Sequence, residues 1–189
     1  MPQSHRADAC ALHWGPKHES HLRHPALLSQ YAGHRRWLLI RACHREQGLM
    51  LRPDLSADTP LADLLRQPLR WAMRQEGAGA KRFLLETLAK HDLREQDIKV
   101  SATTLSERDT AAAICLGQAD IAPGARVAAS EHGLGFVSTG WEFFDLALER
   151  GIYFRGLFQE LIACLGKPET ADLAALLGGY DLSDSGKLV

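Results

Sequence analysis

Residues 69–90, LRWAMRQEGAGAKRFLLETLAK, decide the fold class. Leu69, Trp71 and Met73 alternate with Arg70 and Ala72, the pattern of a half-buried strand. Gly77 and Gly79 interrupt it, and from Ala80 the residues Phe83, Leu84, Thr87 and Leu88 recur at helical spacing. A strand feeding a glycine-rich turn and then a helix leaves the first helical N–H groups without intrahelical acceptors, at the positive end of the dipole. Such a helix start suits an anionic or polar group on a small ligand. An ordinary strand-to-helix connection also uses glycine for its backbone angles. The rest of the chain has to separate the two readings.

Upstream, Ala7–Trp14 (ADACALHW) has the pattern of a strand closed by the turn pair Gly15-Pro16. A histidine-rich polar stretch follows, and Pro25 is expected at the first position of a helix, PALLSQYA, that stops at Gly33. WLLIRAC (Trp37–Cys43) and then HREQGLMLRP are extended, and LADLLRQ is a short amphipathic helix ended by Pro68. Downstream, Ile98–Ala102 is a short strand and Ser106 caps a helix that turns Ala111–Leu116 inward. GQADIAPG returns as a strand, and Ala125–His132 is a small helix. Leu134–Leu148 is strand-like and aromatic, with a break expected at Gly140. Two amphipathic helices, Tyr153–Leu165 and Glu169–Leu177, close the chain ahead of Gly178-Gly179. Strands alternating with helices along the whole length predict an α/β sheet protein.

The totals narrow the function classes. With 189 residues, 46% of them hydrophobic and 24% charged, the chain can bury a real core in one domain or two small lobes. Lys plus Arg number 22 against 23 Asp plus Glu, so there is no basic surplus for a nucleic-acid surface. No apolar run is long enough to cross a bilayer, and MPQSHRADAC carries no hydrophobic signal segment. The expected location is the cytoplasm, with no membrane partner. Cys10, Cys43, Cys115 and Cys164 lie far apart among apolar or small neighbours, as buried free thiols in a reducing compartment do.

Six stretches in register resemble one family, the periplasmic-binding-protein-like domain of bacterial cytosolic regulators, often found behind a helix-turn-helix of the molybdate-regulator type. They are ADACALHW, HREQGLMLRP, LADLLRQPLRWAMRQEGAGAKRFLLETL, AAAICLGQADIA, GLGFVSTGWEFFDL and GGYDLSDSG, spanning about Arg6 to the C-terminus. The resemblance implies a type II, two-lobed α/β fold closing on a ligand, with crossings near Ile40–Leu51 and Phe136–Leu146. It divides the chain into a partial first lobe (1–43), a second lobe (44–133), and a crossover strand with returning helices (134–189). The chain begins inside the family pattern, so the first lobe is expected to be incomplete. The expected consequences are an exposed sheet edge, exposed apolar helix faces and self-association, as a homodimer.

Members of the family bind molybdate-like oxyanions through backbone N–H groups and hydroxyls. Carried over by position, Arg74 and Gln75 match an Arg-Gln pair, and Gly77 and Gly79 match two glycines. Ala78 and Ala80 stand where Ser and Thr are preferred. Ser106 matches a hydroxyl at a helix start, and Glu107 follows where His is common. His13 ends a strand facing the cleft, and Glu142 matches, while Phe144 replaces the usual Tyr. These ten positions, Phe144 aside, form the expected ligand site: His13, Arg74, Gln75, Gly77, Ala78, Gly79, Ala80, Ser106, Glu107 and Glu142. Each lost donor to an ionised ligand costs roughly 1.5–3 kcal/mol, and Glu107 adds a negative charge, so molybdate itself is disfavoured. An uncharged or cationic ligand, or a decayed site, fits equally well.

Cys10, His13, His18, His21 and His24 match no zinc-site spacing and are better explained as a polar surface stretch, so no metal or cofactor is expected. His44 and Arg45 fit either a hinge lining or a solvated strand end. The chain has no G-x-S-x-G, phosphate-loop or H-E-x-x-H motif, and Glu107 with Asp109 suits a helix dipole, so no enzyme is expected. The expected function is sensing of a small polar or oxyanion-like ligand for a transcriptional regulator, without direct nucleic-acid contact by this chain. The alternatives are a non-binding dimerisation remnant and an accessory domain linked to molybdenum-cofactor biosynthesis.

Overall fold

The computed structural model describes residues 7–189 apart from Trp14 and Pro16, and strands and helices alternate along it. The strands are β1 (Ala9–Leu12), β2 (Trp37–Leu51), β3 (Arg70–Arg74), β4 (Lys99–Thr104), β5 (Ile121–Ala125), β6 (Gly135–Glu149) and β7 (Tyr180–Asp181). The helices are α1 (Ser20–Ser29), α2 (Leu61–Arg66), α3 (Gly79–Ala89), α4 (Glu107–Cys115), α5 (Arg126–Glu131), α6 (Arg150–Tyr153), α7 (Gly156–Leu165) and α8 (Pro168–Leu177).

The chain divides into two units, the two-lobed α/β organisation that the resemblance implied. One unit holds the chain up to Arg45, Trp141–Leu176 and Tyr180–Val189. The other holds Glu46–Gly140 and Leu177–Gly179. The chain changes unit inside β2 and β6, and again around Leu177–Gly179.

In the unit built on Glu46–Gly140, β5 pairs antiparallel with β2, from Gln47↔Ala125 to Leu51↔Ile121. Strand β3 is parallel to both β4 and β5. Successive strand residues face opposite sides, so two cores form. Leu49, Leu51, Trp71, Met73 and Ile121 pack with Leu64, Leu65, Leu84 and Leu88 of α2 and α3. On the other face Met50, Ala72 and Ala122 meet Ala111, Ala113, Ala128 and Ala129 of α4 and α5. Ala72 is therefore as buried as its neighbours, where the alternation predicted a half-buried strand. A parallel strand covered by helices on both faces has no solvent side, and an alanine there lets a small-residue helix approach.

In the other unit the order is β1-β6-β2, with β7 also on β2. Its apolar contacts join Leu28, Leu39 and Ala147, and separately Ile40, Leu148 and Phe158. Three expectations are revised. Pro25 lies inside α1 rather than at its start; the fully buried contact of His24 with Asp145, 2.7 Å, holds the turn ahead of it in helical form. Strand β6 runs unbroken through Gly140, whose φ of +144° is a conformation that glycine takes without strain. Cys115 and Cys164 are exposed rather than buried. Cys43 is half-buried, and partial burial pushes its thiol up to about 11. Trp14, the expected end of the first strand, lies outside the described residues.

Candidate functional site

Parallel strands β4, β3 and β5 lie side by side, and each is followed by a helix: α4 after β4, α3 after β3, α5 after β5. All three helices therefore start at the carboxyl end of this parallel set, where open α/β sheets carry their ligands. The turn between β3 and α3 is fastened there. The Gln75 amide donates to the Thr104 carbonyl at 3.1 Å, and the Ala78 amide donates to the Gln75 carbonyl at 3.2 Å. Gly77 takes a φ of +81° in this turn. The expected residues Arg74, Gln75, Gly77, Ala78, Gly79 and Ala80 thus run beside Ser106 and Glu107, with Arg74 paired to Thr104 in the ladder.

At the start of α4 the Ser106 hydroxyl accepts from the Asp109 amide at 3.0 Å, as its sequence position predicted. No side chain caps α3, because Ala78 stands at its N-cap. The orphan N–H groups of that helix start have to be satisfied by water or a ligand. The Gln75 side-chain oxygen is buried without a hydrogen-bond partner, a state that costs on the order of 1–3 kcal/mol and that a donor on a ligand relieves.

Two cations near these helix starts, Lys81 and Arg126, are already paired. Lys81 bonds Glu76, and lies 2.8 Å from Glu95; the bond from Glu76 leads the causes that raise its pKa. Arg126, the first residue of α5, holds both Glu46 oxygens, one at 3.0 Å through Nη2, and stacks over Phe136 at 4.5 Å. That hydrogen bond holds the Glu46 carboxyl below its ordinary value.

The other two expected residues belong to the unit that holds β1. Glu142 is buried, and one of its oxygens takes Arg45 Nε at 2.9 Å and Nη2 at 2.6 Å, with His13 Nδ1 at 3.6 Å. Burial alone would raise this carboxyl, but the His13 bond and the Arg45 charge outweigh it and hold it ionised. Phe144, in the place of a tyrosine, stacks on His13 with centroids 5.3 Å apart. His44 is buried, which discards the reading of a solvated strand end. The partners Glu46–Arg126 and Lys81–Glu95 went unseen in the sequence. Glu46 and Lys81 are buried, and the spacing to their partners follows no local motif.

The chain matches the profile of the PBP superfamily domain over residues 3–166. A comparison with curated proteins found no match. A substrate-binding protein from Clostridium perfringens with bound phosphate superposes with a TM-score of 0.62 at 8% identity, over 95% of this chain and 80% of that one. The effector-binding domain of QuiR in complex with shikimate gives 0.57 at 8%, over 83% and 69%. The CcmR regulatory domain of Synechocystis PCC6803 in complex with 2-PG gives 0.56 at 12%, over 86% and 73%. At these identities the likeness is one of fold.

Proposed function

Because this chain belongs to the PBP superfamily domain family, we propose that it is the ligand-sensing part of a cytosolic bacterial transcriptional regulator, working with a DNA-binding helix-turn-helix. Its ligand is a small metabolite bearing a carboxylate or phosphate. The observation that carries this reading is the pair of helix starts, α3 and α4, tied together by Gln75 and Thr104 at the carboxyl end of parallel strands. With Lys81 and Arg126 already paired, the anionic end of the ligand meets amide N–H groups and dipoles. The ligands of the neighbours, phosphate, shikimate and 2-PG, are of the same polar class, and support the choice. Molybdate fits less well, because Ala78 and Ala80 offer no hydroxyl.

Calorimetric titration with inorganic phosphate, molybdate, shikimate and a panel of small carboxylic and phosphorylated acids tests this. Saturable one-to-one binding of a panel member, weakened at least tenfold by Ala78→Asp, is expected. Heats of dilution alone across the panel would overturn the proposal.

A second reading, a dimerisation domain without a small ligand, is favoured by one observation. Phe154, Leu157, Leu173 and Leu176 are 71%, 83%, 53% and 82% exposed along α6–α8 and the turn after α6. Exposed apolar stretches of this kind mark contact surfaces. A stable dimer in sedimentation, unmoved by every acid in the panel, would favour it.

A further inference from the structure

We infer that His44 carries protons on both ring nitrogens at neutral pH and latches the C-terminal segment onto β2 in a pH-sensitive way. His44 is 1% exposed. Its Nδ1 lies 3.0 Å from an Asp181 carboxylate oxygen, and its Nε2 lies 3.2 Å from an Asp184 oxygen. A carboxylate only accepts, and a neutral imidazole donates once. Satisfying both contacts takes the imidazolium.

The surroundings weigh mostly the same way. From β2 itself, Arg41 Nη1 approaches Nε2 at 3.3 Å, a contact that favours a neutral ring. Arg41 is, however, committed to Asp145 through its Nε, and Asp145 also meets His24. From β6, the Phe143 ring packs against both the Arg41 guanidinium and the His44 ring, whose centroid is 4.6 Å away. An aromatic face favours the charged ring. From the C-terminal segment, Lys187 bonds the other Asp184 oxygen at 2.5 Å, so that carboxylate bridges two cations. The Asp181 carboxyl is held low first by the Ser183 amide, and Asp184 first by Lys187, with His44 adding to both. Both therefore stay ionised well below neutrality, while the imidazole has one paired cation against it and two anions for it.

The latch closes a segment that is otherwise held by backbone bonds and by the Ser185 hydroxyl, which donates to the Ala42 carbonyl at 2.6 Å. Gly186 N donates to the Arg41 carbonyl and Arg41 N to the Lys187 carbonyl, each at 2.8 Å, and Val189 N donates to the Leu39 carbonyl at 2.9 Å. Loss of the Nε2 proton turns the Asp184 contact into lone pair against lone pair, and frees 184–189 to exchange. The latch is present below the pH at which His44 titrates in the folded protein, and is lost above it.

Long-range imidazole 15N spectra of the full chain between pH 5.5 and 9 test this, together with amide exchange corrected for intrinsic pH dependence. Both His44 nitrogens are expected to show imidazolium shifts at pH 7. Protection at Gly186 and Val189 should fall about tenfold or more once the proton leaves, as for one lost charged hydrogen bond. Asp184→Asn changes a surface side chain, so the fold survives; it should move the His44 transition to lower pH and loosen the segment at pH 7. A neutral His44 ring at pH 7, or an Asp184→Asn variant with unchanged transition and exchange, would overturn the inference.

Discussion

The amide of Gln75 donates to the carbonyl of Thr104 across 3.1 Å. One bond thereby couples the turn ahead of α3 to the last residue of β4, two positions before the Ser106 cap of α4. The two helix starts are set by strand pairing, not by loop conformation. Rigid placement of that kind is what a site made of amide donors requires, since such donors cannot reach after a misplaced ligand.

Ala78 has the extended backbone of an N-cap, φ −72° and ψ 134°, yet no capping side chain. Ala78→Ser should raise stability by about 0.5–2 kcal/mol in urea unfolding. Ala78→Asp should stabilise as well, because its carboxylate takes the same amides and the dipole favours it. It should also weaken an anionic ligand at least tenfold by occupying those donors. A variant that gains stability and binds the acid unchanged would place the ligand elsewhere.

Asp120 stands apart from the candidate site. It receives Arg70 from β3 through the main-chain N, Nε and Nη2 at 2.8, 3.1 and 2.8 Å, and Arg52 at 3.0 Å. The Arg70 hydrogen bond leads the causes that lower its carboxyl from 3.8 to about 2. A depressed folded value means stability that is fully present above about pH 4 and is lost as pH falls toward 2. Both arginine side chains are 40% exposed, so screening trims the contribution to about 1–2 kcal/mol. Asp120→Asn should lose that amount at pH 7 and flatten unfolding free energy between pH 4 and 2. Ligand binding should not move, because Arg70 opens β3 and Arg74 closes it.

The strand, turn and helix of 69–90 were legible because each step is local: alternation, glycine, then helical spacing. Ser106 was legible for the same reason, as a hydroxyl ahead of Asp109 in a helix start. What stayed hidden is set by partners far along the chain. Ala72 gives no sign of the alanines it meets on α4 and α5. Glu46 and Arg126 are 80 residues apart and meet only when β2 and β5 pair. His24 and Asp145, 121 apart, override the helix-start preference of Pro25 for a reason no window of sequence contains.

The Glu46–Arg126 pair leads to a gain-of-binding prediction. Glu46→Gln keeps the shape and removes the charge that neutralises Arg126 at the start of α5. A released guanidinium beside a helix start should tighten an inorganic phosphate or carboxylic acid several-fold at low salt, and less at high salt. Unchanged affinity at both salt concentrations would mean that Arg126 does not face the ligand.

Gly48 and Gly140 separate two reasons for glycine in the crossing strands. A Cβ on Gly48 would lie 2.2 Å from the Val137 carbonyl oxygen and 2.6 Å from the Phe136 ring. The oxygen belongs to β6 and cannot swing away, so Gly48→Ala has to push two strands apart. At Gly140 a Cβ would meet only Phe83, at 3.6 Å, an ordinary contact; the obstacle there is the φ of +144°. Overpacking typically costs about 1–3 kcal/mol, and this backbone clash belongs at or above the top of that range. A non-glycine residue in a sparsely populated backbone region costs about 1–3 kcal/mol, and relaxation of the strand lowers it. Urea unfolding should therefore rank Gly48→Ala below Gly140→Ala in stability. The Gly48 variant should also lose amide protection along Gln47–Leu49. The reverse ranking would mean that β2 and β6 do not approach as closely as the glycine allows.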